Sequence, residues 1–190
     1  MKTPFLYRLG IIVMCIMSAY AIASVFEIMR LDEVSEESYG LLLLFPVLGS
    51  VAAPVVGLVM YGRKKTLGWV LCCGYTLFMF AQTVVGYFVF RRLGVELDDG
   101  GELHVRWVAE GVLYLLAVML FMSRKIRSVF FDFEKTSLLD MIVSAVVAAL
   151  FIGVCVFIPV LVGLSKPVYV IIGCGILFYA LRWFAAYNNK

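Results

Sequence analysis

Histidine is almost missing from this chain of 190 residues, His104 being the single example, and its five cysteines form no C-x-x-C pair. These shortages exclude chemistry. With one imidazole, an intramembrane Ser-His dyad, a His-ligated metal site or a His-rich acyl-transfer motif cannot be assembled. A paired-aspartate site needs two carboxylates at membrane depth, whereas Asp132 and Asp140 both fall at the borders of apolar stretches. Cys15, Cys72, Cys73, Cys155 and Cys174 all lie inside apolar stretches. Adjacent Cys72 and Cys73 would project about 100° apart on a helix, so they read as soft packing residues and not as a redox pair. Glu96, Asp98, Asp99 and Glu102 lack the spacing of a calcium loop, and the Asp98-Asp99-Gly100-Gly101 run reads as a solvated turn within an outer loop 93–105. The expectation is a protein that is not an enzyme, with no catalytic residue, no metal and no cofactor.

Charge is scarce as well. Asp, Glu, Lys and Arg make up 15% of the chain against 64% hydrophobic residues, and the mean hydropathy is +1.02. A soluble domain of this length has no core large enough to hide so much apolar surface. Six stretches, at 8–29, 40–62, 66–90, 106–123, 140–164 and 168–187, approach the roughly 20 apolar residues that cross a hydrocarbon core. They run continuously apolar instead of alternating, which points to helices and not to a barrel. The fold class expected is all-α: one polytopic transmembrane helical bundle of six spans. Lys2 and Arg8 ahead of an apolar run, with Ala21-Ile22-Ala23 after it, have the outline of a signal peptide, but a retained first span is the reading adopted.

Basic residues fall unevenly between the stretches. Lys2, Arg8, Arg63, Lys64, Lys65, Arg124, Lys125, Arg127, Lys135 and Lys190 share one side, while Arg30, Arg91, Arg92, Arg106 and Lys166 share the other. Because Lys and Arg resist translocation, the richer side should be cytoplasmic, with both termini inside. Trp69 and Trp183 would then anchor the inner interface, and Tyr39, Trp107 and Tyr169 the outer one. Between the fourth and fifth stretches, Ile126, Val129, Phe130 and Phe133 recur at i, i+3, i+4 and i+7 among polar residues. That spacing predicts an amphipathic segment over 124–139 lying in the cytoplasmic interface, with Thr136 or Ser137 capping the next helix. Arg124, Lys125, Arg127, Phe130 and Phe133 are its candidate docking residues.

Small residues at four-residue spacing mark two packing ridges: Gly49, Ala53 and Gly57 in the second span, and Ala145, Ala149 and Gly153 in the fifth. Such ridges let helix backbones approach closely, within one subunit or between two. Pro46, Pro54 and Pro159 should kink the same spans. Glu110 lies one turn inside the fourth span, where Arg91 or Arg92 could pair with it, and Gln82 is a lone mid-membrane amide expected to hydrogen-bond across helices. The stretch Leu120-Phe121-Met122-Ser123-Arg124-Lys125-Ile126-Arg127-Ser128-Val129-Phe130 resembles the close of a family of small, uncharacterised bacterial inner-membrane proteins, with Ile126 where their valine stands. The resemblance implies a bacterial inner (plasma) membrane location and carries no site residue across.

The functional expectation is a non-enzymatic multi-pass subunit acting through homo-oligomer or cytoplasmic-partner assembly, with the lipid bilayer as its medium and no nucleic-acid partner. An anti-phage defence component, a toxin-immunity protein or a channel-like effector would suit that description. The alternative is a small-solute transporter or substrate-binding membrane component, lined by Glu110 and Gln82.

Overall fold

Residues 5–31, 48–92, 102–132 and 136–164 are described by the computed structural model, and every element among them is helical. They form α1 (Phe5–Leu31), a π-helical turn (Leu48–Ala52), α2 (Ala53–Gly62), α3 (Thr66–Arg92), α4 (Glu102–Met122), α5 (Arg124–Phe130) and α6 (Leu138–Leu164). Four contain stretches long and apolar enough to cross a membrane: Phe5–Ala23, Thr66–Val89, Val105–Met122 and Leu138–Phe157. The expected span 168–187, residues 40–47 of the second span, Pro46, Phe133, Cys174 and the anchors Tyr39, Tyr169 and Trp183 lie outside the described residues.

The second span departs from one regular helix. A π-turn precedes α2, and Pro54 stands in the first turn of α2. Proline has no N–H to donate, and the first turn is where that loss is harmless. The fourth helix starts earlier than expected, since residues 102–105, assigned from sequence to the outer loop, already form the first turn of α4.

α3 is the centre of the bundle, packed against α2, α4 and α6. Its approach to α6 is a backbone contact: a Cβ on Gly74 would lie 2.6 Å from the Cβ of Ala148 and 3.1 Å from the Ala145 carbonyl oxygen and the Ala149 nitrogen. On the other ridge, a Cβ on Gly49 would meet Val156 at 2.8 Å and the Ile152 carbonyl at 3.0 Å, and one on Gly57 would meet Leu71 at 3.2 Å. Gly153 faces the Phe78 ring, where a Cβ would sit 3.3 Å away. Both ridges are therefore used inside the chain.

At the end of the bundle where α2 turns into α3, aromatic rings form a dry cluster. Tyr7 stacks on Tyr61 with centroids 5.1 Å apart, and Tyr61 packs on Phe130 at 4.7 Å and edge-on to Phe121 at 5.6 Å. Tyr7 donates its hydroxyl to the carbonyls of Tyr61 (3.0 Å) and Gly62 (3.2 Å) at the close of α2. Trp69, expected at the inner interface, is fully buried within the protein, and its indole N–H donates to the Phe121 carbonyl at 2.8 Å near the end of α4. A helix C-terminus leaves such carbonyls without intrahelical donors.

The segment expected to lie on the membrane surface over 124–139 is instead a seven-residue helix, α5, set off from α4 by the extended backbone of Ser123. Its apolar residues Ile126 and Phe130 are buried in the core, so protein and not lipid covers that face. Arg127 donates Nε–H to the Met122 carbonyl at 2.8 Å, and the Thr66 hydroxyl donates to the Phe130 carbonyl at 3.2 Å, which fixes α5 across the start of α3. α6 opens with a capping box, as the Asp140 N–H donates to the Ser137 hydroxyl oxygen (3.1 Å) and the Ser137 N–H to the Asp140 carboxylate (3.3 Å).

Candidate binding groove between three helices

α1 and α4 border a groove of about 620 Å³, with Tyr75 of α3 among its lining residues. α1 contributes Leu9, Val13, Met17 and Tyr20, which recur at helical spacing on one face, and α4 contributes Glu110, Tyr114, Ala117 and Leu120. Tyr75 of α3 lies beneath them and is almost wholly buried. From Leu9 to Tyr20 the groove runs about 16 Å along α1 at the rise of an α-helix. Ile16, Leu113 and Leu116 on its rims are exposed apolar residues.

Polar groups gather at one end. Glu110 accepts a hydrogen bond from Arg106 Nε at 3.2 Å, an i, i+4 ion pair in which Arg106 is 64% and Glu110 32% exposed. The Tyr20 hydroxyl is a second hydrogen-bond partner of Arg106. Tyr114 lies within electrostatic reach of Glu110 and Tyr20, and Tyr75 within reach of Tyr114 and Tyr20. Tyrosines from three helices thus line the groove together, Tyr114 being the one within reach of Glu110. The opposite end, at Leu9 and Leu120, is apolar.

The residues singled out from sequence are distributed as follows. Glu110 lies in the groove, and its observed partner is Arg106, not Arg91 or Arg92, both of which are exposed in the last turn of α3. Gln82 is exposed on α3 and lines no part of the groove. Among the candidate docking residues, Arg124 and Lys125 are exposed, Arg127 is half-buried and bonded to α4, and Phe130 is buried, which removes it from any docking surface. Tyr20, Tyr75 and Tyr114 went unnoticed in the sequence. The available signal was their depth: tyrosines in spans collect at the interfaces, whereas Tyr75 and Tyr114 lie more than two turns from the nearer ends of their helices. Among the described residues no group of three or more His, Cys, Asp or Glu is placed to hold a metal ion.

Among the described residues the fold is all-helical, with four helices long and apolar enough to cross a membrane and an apolar groove that carries one carboxylate. No protein-family model, no curated protein and no solved structure matches this chain.

Proposed function

We propose that this chain is a non-enzymatic multi-pass membrane protein that takes an amphipathic molecule laterally from the bilayer into the groove between α1, α3 and α4, as a substrate-binding or carrier component. The groove carries this reading. Its volume of about 620 Å³ lies in the range of small-molecule sites, its walls are apolar, and its few polar groups converge at one end. Both small-residue ridges are spent on internal packing, which weakens their claim as homo-oligomer surfaces. The setting that fits is a bacterial inner membrane crossed six times with both termini cytoplasmic, given the distribution of Lys and Arg and the resemblance of residues 120–130. The test is retention of dodecyl maltoside by the protein in phosphatidylcholine nanodiscs, measured against empty discs. Saturable excess retention is expected, and Leu113→Trp on the exposed rim should reduce it at unchanged melting temperature. Retention equal to that of empty discs would sink the proposal.

A second reading, assembly with an acidic cytoplasmic partner, is favoured by the cationic end of the bundle. The Thr66–Phe130 hydrogen bond brings the exposed turn Arg63-Lys64-Lys65 to the same end as exposed Arg124 and Lys125. Lys64 moreover holds φ 56°, a left-handed conformation that disfavours any residue but glycine. Defence and toxin-immunity settings belong to this reading. Native mass spectrometry of the complex purified from its own cells tests it: a bound partner lost from the Lys64→Glu/Lys65→Glu/Lys125→Glu protein supports it, and a monomer in both cases removes it.

A further inference from the structure

We propose that the amphiphile taken by the groove is an organic cation, an apolar chain ending in an amine or quaternary ammonium, with the cationic head held by Glu110 among Tyr20, Tyr75 and Tyr114. The inference rests on the binding role proposed for the groove and adds the charge of the ligand. The lining indicates its occupant first: apolar side chains of α1 and α4 lead from Leu9 and Leu120 to a single carboxylate, and a volume of about 620 Å³ suits a small amphiphile.

The order of polar groups along the groove then selects the head. Moving outward from the apolar end, the first charge met is the Glu110 carboxylate, and Arg106 follows one turn later with its side chain mostly exposed. A phospholipid presents its phosphate directly after its chains and would bring anion to carboxylate. An amphiphilic cation brings its positive charge there first. Tyrosine faces attract such a cation through their quadrupoles, and they do so most strongly where water is excluded, as it is around Tyr75. Arg106 is the one charged group that competes for Glu110 on its own helix. Its exposure and long stem let it turn outward to the interface and release the carboxylate.

The experiment compares three amphiphiles that share a dodecyl chain and differ in the head: trimethylammonium, maltoside and sulfate. Each is titrated against the protein in phosphatidylcholine nanodiscs, with empty discs subtracted. The trimethylammonium form should bind about tenfold or more tightly than the maltoside, and the sulfate most weakly. Glu110→Gln should abolish the preference for the cation, so that the trimethylammonium and maltoside forms bind within about twofold of each other. If Glu110→Gln unfolds the protein, Tyr114→Phe and Tyr114→Leu serve instead, since the ring face and not the hydroxyl should matter. Equal affinity for the three heads, or preference for sulfate, overturns the cation inference while the groove reading survives. Absence of saturable binding by any of the three overturns both.

Discussion

Gly10 and Tyr61 offer a test of packing in which one substitution should change sign with its background. A Cβ on Gly10 would stand 2.6 Å from the Tyr61 hydroxyl oxygen and 3.2 Å from Tyr61 Cζ and Phe121 Cε1. Tyr61 is fully buried and has rings on two sides, so it has nowhere to retreat, and its hydroxyl has no hydrogen-bond partner in the structure. Overpacking a core of this kind costs about 1–3 kcal/mol, against a helix-propensity gain of up to about 1 kcal/mol for replacing a mid-helix glycine by alanine. Gly10→Ala should therefore destabilise by about 1–2 kcal/mol. Tyr61→Phe alone should stabilise by about 1 kcal/mol, because it removes a buried hydroxyl that pays desolvation without a bond. In the Tyr61→Phe protein the closest contact is gone, and Gly10→Ala should become neutral or stabilising. The coupling in the double-mutant cycle should be about 2 kcal/mol. Unfolding in mixed micelles, followed by the emission of buried Trp69, measures all four proteins. An equal cost of Gly10→Ala in both backgrounds would refute the reasoning.

Gly68 should tolerate no side chain, because a Cβ there would overlap the backbone of Met60 and Tyr61 in α2; Gly68→Ala should cost more than about 3 kcal/mol, while Gly86→Ala, with only ordinary contacts to Trp107, should stabilise by up to about 1 kcal/mol in the same unfolding assay. Lys64→Gly should stabilise by about 1 kcal/mol by relieving the left-handed lysine, whose turn keeps both Schellman hydrogen bonds, Lys64 N–H to Tyr61 (2.8 Å) and Lys65 N–H to Met60 (3.0 Å). No gain in melting temperature would mean that the turn is not strained. Ser137→Ala and Asp140→Ala should each lower stability by about 1 kcal/mol, and the double substitution by clearly less than the sum, since the two side chains serve one capping box.

Much of the architecture was legible in the chain because the membrane removes alternatives. A run such as Thr66–Arg92 or Leu138–Leu164 has no water to satisfy its peptide groups, so helix is the outcome whatever its neighbours, and of the two expected caps, Thr136 and Ser137, the hydrogen bonds select Ser137. Pattern alone was ambiguous elsewhere. The spacing of Ile126 and Phe130 is the same for a helix resting on lipid and one resting on protein, and only the break at Ser123 turns that face into the core. Trp69 has the composition of an interfacial anchor. Its burial depends on the Phe121 carbonyl, 52 residues away in sequence.

The candidate site was the least legible part. Glu110 stood out because a carboxylate inside an apolar run is expensive, yet its companions Tyr20, Tyr75 and Tyr114 come from three helices with no shared spacing. Sequence by itself determined helices, their approximate bounds and a strongly uneven charge distribution, since these follow from local hydropathy and from the hydrogen-bonding demand of each segment alone. Tertiary structure decided which small residues meet, at Gly74 against Ala145 and Ala148, and which helices border a groove. Those outcomes depend on how side chains from distant segments fill shared space, and no single segment carries that information.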